Sequence, residues 1–338
     1  MTHTVSFPGL GLEFEINRVA FSIGSIDIYW YAVIIATGFC LALWFIFSNL
    51  KEFGIDSDRA IDIVLFAMIF GIVGARAYFV IFKWEDYADN IIEIFNLRGG
   101  GLGFYGGVIG GTIGVLLGCK LRKVNTRAFL DLAGAGLLIG QGMGRWGNFV
   151  NGECFGCNTT LPWGMTGTNI VSYIKSNDFG TMGYEMDPLV PVHPTFIYES
   201  LWCTLGFIIF VKLMKKRRFD GEMFLFYVGW NGFGRMLIEG LRTDSLMIGG
   251  FRVSQLVGGL LVVSAIVIWR IVRGKIKNNG DENYLMLWRD TEEGKLQAAG
   301  QWDYKNNCAK VSEKEENTSE TDEQNKEEKE SENVGNDN

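Results

Sequence analysis

Seven stretches of this chain stay predominantly apolar for about twenty residues, the length a helix needs to cross a bilayer once. They run Ile26–Phe47, Ala60–Phe82, Phe104–Leu121, Ala128–Asn148, Pro194–Met214, Glu222–Leu241 and Val253–Ile271. That repetition argues against one water-soluble core and predicts an all-α integral membrane protein with about seven transmembrane helices. The five prolines (Pro8, Pro162, Pro188, Pro191 and Pro194) lie outside these runs or at the first turn of one, as uninterrupted helices require. The first run is not preceded by a basic segment and a small-residue cleavage site. It therefore reads as a retained span, not a removable signal.

Basic residues set the expected orientation. "KLRKVNTR" (Lys120–Arg127) follows the third run, "KLMKKRRF" (Lys212–Phe219) closes the fifth and "WRIVRGKIK" (Trp269–Lys277) closes the seventh. These are alternate connections, and the positive-inside rule assigns them to the cytoplasm, with the N-terminus outside and the C-terminus cytoplasmic. The domain reading is a polytopic membrane catalytic domain over 1–275, with 149–193 as a small extracytoplasmic head, then a cytoplasmic tail over 276–338. From Val311 to Asn338 the tail holds eleven acids against three lysines, a net of −8 in a chain whose total is −7. The working part is thus near neutral, and the acidic end, almost free of apolar residues, reads as disordered from about 311. No nucleic-acid partner is expected.

Charges inside the runs carry the functional signal. An arginine near the centre of a membrane helix costs roughly 2.5–3.5 kcal/mol on insertion scales, so it normally faces a bundle interior or a wet cavity. In the sixth run Asn231, Arg235, Glu239 and Arg242 fall on one helical face, and in the fourth Gln141, Arg145, Asn148 and Gly152 do the same. Arg235 and Glu239 are also spaced for a plain ion pair. Arg76 lies in the second run, while Tyr198 and Glu199 open the fifth behind His193-Pro194. With alternating run directions, Arg76, Arg145 and Arg235 and the tyrosines Tyr31, Tyr105 and Tyr198 all map to the outer half of the membrane. One shared cavity accounts for that sorting.

Glycines form the second pattern. Gly106, Gly110, Gly114 and Gly118 recur every four residues in the third run, a spacing that lets membrane helices approach closely. The lead "RGGGLGFYGG" (Arg98–Gly107) also suggests exposed backbone N–H groups at a helix start, which favour phosphate. The CxxC pair Cys154 and Cys157 has no second CxxC, and the only histidines are His3 and His193, so no metal site is expected. No Ser-His-Asp set, HExxH or Walker motif is evident. Arginine binds phosphate bidentately and stays charged. The physics alone therefore fits either transfer of a group away from a phosphate or an outward-facing lipid or anion transporter.

The motifs together resemble those of the bacterial prolipoprotein diacylglyceryl transferase family, from about Phe21 to Arg273. "GRWGNFVNGE" (Gly144–Glu153) is similar to the family signature, supported in order by "YWYA" (Tyr29–Ala32), "GARAYF", "GGLGFYGGVIGG", "HPTFIYE" and "GRMLIEGLR" (Gly234–Arg242). The resemblance implies a multi-pass enzyme of the bacterial cytoplasmic membrane. It would move the diacylglyceryl group of phosphatidylglycerol onto the lipobox cysteine thiol of a prolipoprotein signal peptide, forming a thioether and releasing glycerol phosphate. It implies no cofactor, because the lipid carries its own leaving group. Arg145 and Arg235 would neutralise the departing phosphate, and Glu239 would hold Arg235. Asn148, Asn151 and Glu153 would orient the headgroup or Arg145. Tyr31, Arg76, Gly106, Tyr198 and Arg242 complete the implied substrate site. Some members have a histidine, a candidate thiol base, where this chain has Tyr105. That leaves a tyrosinate at Tyr105, the Glu153 carboxylate, or a thiol activated by the arginine field alone.

Overall fold

Each of the seven apolar runs is a long helix in the protein's computed structural model: α1 (Trp30–Asn49), α2 (Ser57–Phe82), α3 (Phe104–Arg122), α4 (Thr126–Asn151), α6 (Thr195–Met214), α7 (Glu222–Ile238) and α8 (Val253–Asn279). A short α5 (Thr168–Ser176) and α9 (Glu292–Ala298) lie between and after them. The structure describes residues 2–88, 90–96, 100–177, 186–243, 247–248, 251–281, 284–303 and 308–309. The acidic stretch from 311 and Arg98 of the glycine-rich lead lie outside the described residues. Five helices, α1, α2, α3, α6 and α8, are long and apolar enough to cross a membrane. The other two are α4, laced with glycine and with Gln141, Arg145 and Asn148, and α7, seventeen residues carrying Asn231 and Arg235.

Local chemistry sets the ends. Asp56 accepts from the backbone N–H groups of Asp58 and Arg59 and starts α2, and Asn125 does the same for Arg127 and Ala128 at α4. Asp131, fully buried in α4, accepts from the N–H groups of Gly221 (2.9 Å) and Phe224 (2.7 Å), so one helix caps the start of another, α7. The α2–α3 contact is a glycine seam. A Cβ placed on Gly106, Gly110 or Gly114 would lie 2.2, 2.1 or 2.5 Å from a backbone carbonyl oxygen of α2. Only hydrogen fits there, and the backbones meet as small-residue spacing allows.

The chain is not all helix. β1 (Thr2–Phe7) pairs antiparallel with β2 (Leu12–Asn17) and with β5 (Thr166–Gly167), while β3 (Val19–Ile23) pairs with β4 (Ile26–Tyr29). This corrects the all-α expectation, and it shortens the first run, since Ile26–Tyr29 is strand and α1 starts at Trp30. The physical reason is period-two burial: His3, Val5 and Phe7 face in while their neighbours do not. They cover a second core of Phe155, Met165, Ile170, Ile174, Val192 and Phe196. β1, β2 and the described residues of 149–193 therefore form one head.

At the other end a larger core joins Leu50, Phe53, Ile63, Cys119, Phe129, Leu132, Phe210 and Met223. Residues 284–303 fold back onto it. The Trp288 indole donates to the Gly54 carbonyl (2.9 Å), its N–H donates to Asp220 (2.7 Å), and Gln297 donates to the Lys123 carbonyl (3.3 Å). Three separate loops are tied by this one return, beyond the expected membrane-domain boundary at 275.

Candidate active site

Between the two cores, Glu199 of α6 bridges two arginines. Its Oε2 lies 2.7 Å from Nε of Arg145, and its Oε1 lies 2.8 Å from Nη1 of Arg242. The carboxylate is 8% exposed, so neither ion pair is diluted by bulk water. One turn along, Arg235 lies 3.7 Å from the buried Glu239, and Arg252 donates to the Glu239 main-chain oxygen. Among the described residues, Arg145, Arg235 and Arg242 thus share the two carboxylates of Glu199 and Glu239. A polar chain continues inward: the Asn231 amide donates to Gln141 (2.6 Å), and the Gln141 amide donates to the Tyr227 hydroxyl (2.8 Å). Gln141, Arg145, Glu199, Asn231 and Arg235 line a cavity of about 40 Å3. That is room for about three waters, given roughly 10–15 Å3 for one.

Backbone contacts with the head fix this constellation. Gly152 takes the left-handed conformation at φ 70° and ends α4, and the N–H of Glu153 returns to the Asn148 carbonyl (2.9 Å). A Cβ at Gly152 would also lie 3.0 Å from that of Asn169. The Asn151 carbonyl accepts from Arg18 (2.5 Å) and Asn169 (3.3 Å). Gly156 pairs with Arg242 as an isolated bridge, and the Cys157 N–H donates to the Leu241 carbonyl (2.7 Å). The CxxC turn therefore anchors the stretch that presents Arg242.

Several expected site residues have other occupations here. Arg76 spends its N–H groups on five main-chain carbonyls, those of Glu93, Ile94, Asn96, Gly100 and Gly101. It stacks near Tyr87 and holds the loop between α2 and α3. Gly106 faces α2 in the seam. Glu153 is exposed, and the partner that holds Arg145 is Glu199. Asn148 and Asn151 contribute main-chain carbonyls to the end of α4. Tyr31 lies against Gly147, where a Cβ would meet its ring at 2.8 Å, two residues on from Arg145 and on another face of α4. Tyr105 is 66% exposed and packs near the rings of Tyr78 and Phe104.

Tyr198 accepts from the Trp163 indole (2.7 Å) and lies 3.3 Å from Nδ1 of His193. Which group donates in that contact is set by the imidazole tautomer, and burial holds His193 below its ordinary value of 6.5, favouring the neutral ring.

Sequence reasoning saw Glu199 but did not assign it to the site, and missed Tyr227 and a tryptophan pair. Trp202 and Trp230 stack at 4.3 Å, and each indole donates to the other's main-chain carbonyl at 3.0 Å. Gly206 and Gly234 make room, since a Cβ on either would meet an indole nitrogen at 2.3 Å. A signal existed: α6 and α7 each carry Trp-x-x-x-Gly.

The sequence pattern of the prolipoprotein diacylglyceryl transferase family matches residues 18–271. A phosphatidylglycerol–prolipoprotein diacylglyceryl transferase of Enterococcus faecalis is 42% identical over 257 residues, covering 75% of this chain and 90% of the relative. One of Bacillus cereus is 41% identical over 277 residues, covering 82% of this chain and 98% of its own length. One of Bacillus cytotoxicus is 39% identical over 277 residues, with the same coverage. A family match over residues 18–271, with relatives about 40% identical over three-quarters or more of the chain, shows it: the chain belongs to the prolipoprotein diacylglyceryl transferase family.

Proposed function

We propose that this membrane enzyme transfers the diacylglyceryl group of phosphatidylglycerol to the thiol of a prolipoprotein's lipobox cysteine. The thiol sulfur attacks the glyceryl carbon that bears the phosphate ester. A C–S bond forms, the C–O bond breaks, glycerol phosphate departs with the electron pair, and the thiol proton passes to phosphate or solvent. The observation that carries the reading is the Glu199 bridge, which pre-sets Arg145 and Arg242 beside Arg235. A phosphodiester brings one negative charge, and the departing phosphate brings more, so these arginines favour the transition state over the bound lipid.

In this reading all seven long helices cross the bacterial cytoplasmic membrane, with the head outside. Tyr31 and Tyr198 offer hydroxyls at headgroup level, and Asn148, Asn151 and Glu153 line the approach from the head. Arg76 and Gly106 act through packing, by fixing the loop that leads to Tyr105. The arginine field, with Tyr105 positioning a substrate, activates the thiol.

The test is an assay in detergent with phosphatidylglycerol and a lipobox peptide. The parent adds one diacylglyceryl mass to the peptide, and Arg145→Ala reduces the rate by at least about 100-fold, the scale of losing one transition-state charge contact. An unmodified peptide with folded parent protein would overturn the proposal.

A further inference from the structure

A second, larger cavity lies on the opposite side of the tryptophan pair. It is a groove of about 500 Å3 between α6, α7 and α8, within the roughly 300–1,000 Å3 of ligand pockets. Leu213, Leu225, Phe226, Phe233, Val262 and Ile266 wall it, and Trp230 separates it from the polar cavity. Its charged residues lie beyond the end of α6 remote from Glu199. There Glu222 is buried and accepts from Trp269 (2.7 Å) and twice from Arg273 (2.7 and 2.6 Å), so the Arg273 charge is already matched. Lys216 also lines the groove and has no carboxylate within salt-bridge reach among the described residues. Lys212, Lys215 and Arg218 stand exposed beside it. With Arg217, which also lines the groove but is buried and held by Glu52 at 3.7 Å, these are the five cations of "KLMKKRRF", which the transfer reaction leaves unused.

An apolar trough ending in unmatched cations at the membrane boundary complements one kind of molecule. Basic pockets between membrane helices at that level take anionic headgroups. We propose that the groove binds one anionic phospholipid from the leaflet opposite the active site, an acyl chain against α7 and α8 and the phosphate at Lys216. Zwitterionic lipids carry their own cation beside the phosphate and gain less there.

Native mass spectrometry of the full-length protein, stripped in detergent and titrated with phosphatidic acid or phosphatidylcholine, tests this. The parent retains one phosphatidic acid in preference to phosphatidylcholine, and Arg145→Ala retains it equally. Lys216→Gln weakens phosphatidic acid about fivefold, the worth of one basic residue at the membrane surface, and leaves phosphatidylcholine unchanged. Ile266→Trp, at a half-exposed groove position, weakens both lipids by filling the trough. Lys216→Gln keeps its transferase activity. Equal retention of the two lipids by the parent, retention that survives either groove substitution, or loss in Arg145→Ala would each overturn the proposal.

Discussion

Glu199 has two arginines and no exposure to spare, which makes its charge matter more than its shape. Glu199→Gln keeps a carbonyl oxygen for one arginine and takes the shared charge away from the buried Arg242 and the partly buried Arg145. Breaking such a buried pair costs about 3–5 kcal/mol. The expected outcome is a lowered unfolding midpoint in detergent that phosphatidylglycerol restores more fully in the variant than in the parent, because phosphate replaces the missing charge. His193 gives a pH signature. Its folded value lies below 6.5, so between the two values the unfolded chain binds more protons than the folded one. Stability therefore rises with pH across that window and is lost as pH falls through it. His193→Gln removes this sensitivity, and its midpoint drops less than the parent's between about pH 7 and about pH 5. Arg145 was legible as a site residue because an arginine deep in an apolar run is too costly to bury without a polar partner. Which partner was not legible: Glu153 is nearer in sequence, but the turn at Gly152 carries it to the surface, and Glu199 arrives from another helix.

Helix pairing depends on which glycines face a neighbour. Gly106→Ala places a methyl 2.2 Å from the Gly74 carbonyl oxygen and 2.3 Å from the Tyr78 Cβ, contacts that only a shift of α3 relieves. Overpacking of this kind costs about 1–3 kcal/mol. Gly140→Ala meets nothing within 4 Å, and the better helix former contributes up to about 1 kcal/mol of stability. Thermal unfolding of the two variants should move in opposite directions, although both glycines sit in four-residue stripes of the same kind. Elements were the most legible level here. Length and apolarity located every long helix to within a few residues at most ends. They failed where the pattern is short and alternating: "THTVSF" buries three side chains over six residues, too few to stand out beside twenty-residue runs. The role of Arg76 was hidden for a related reason, since its partners are main-chain carbonyls of a loop, and carbonyls leave no mark in a sequence.

The whole molecule is braced at both ends, with the head over one face and the return of residues 284–303 over the other. Trp288→Ala removes the bond to the Gly54 carbonyl and a half-buried indole from the end core, at a cost of about 2 kcal/mol. The midpoint of unfolding should fall while the rate per folded molecule stays at the parent's value, since the substituted side chain lies at the far end from Arg145. Gly54 makes the contact possible, in the left-handed conformation and 2.7 Å from Arg289 Cα at its would-be Cβ. The two partners of that bond are 234 positions apart. At the ribosomal pace of about 5–20 residues per second, the turn at Gly54 waits roughly 10–50 s for the tryptophan that covers it. The last long helix ends at Asn279, nine residues before that tryptophan, so the Gly54 carbonyl gains its partner only after all seven long helices have been made.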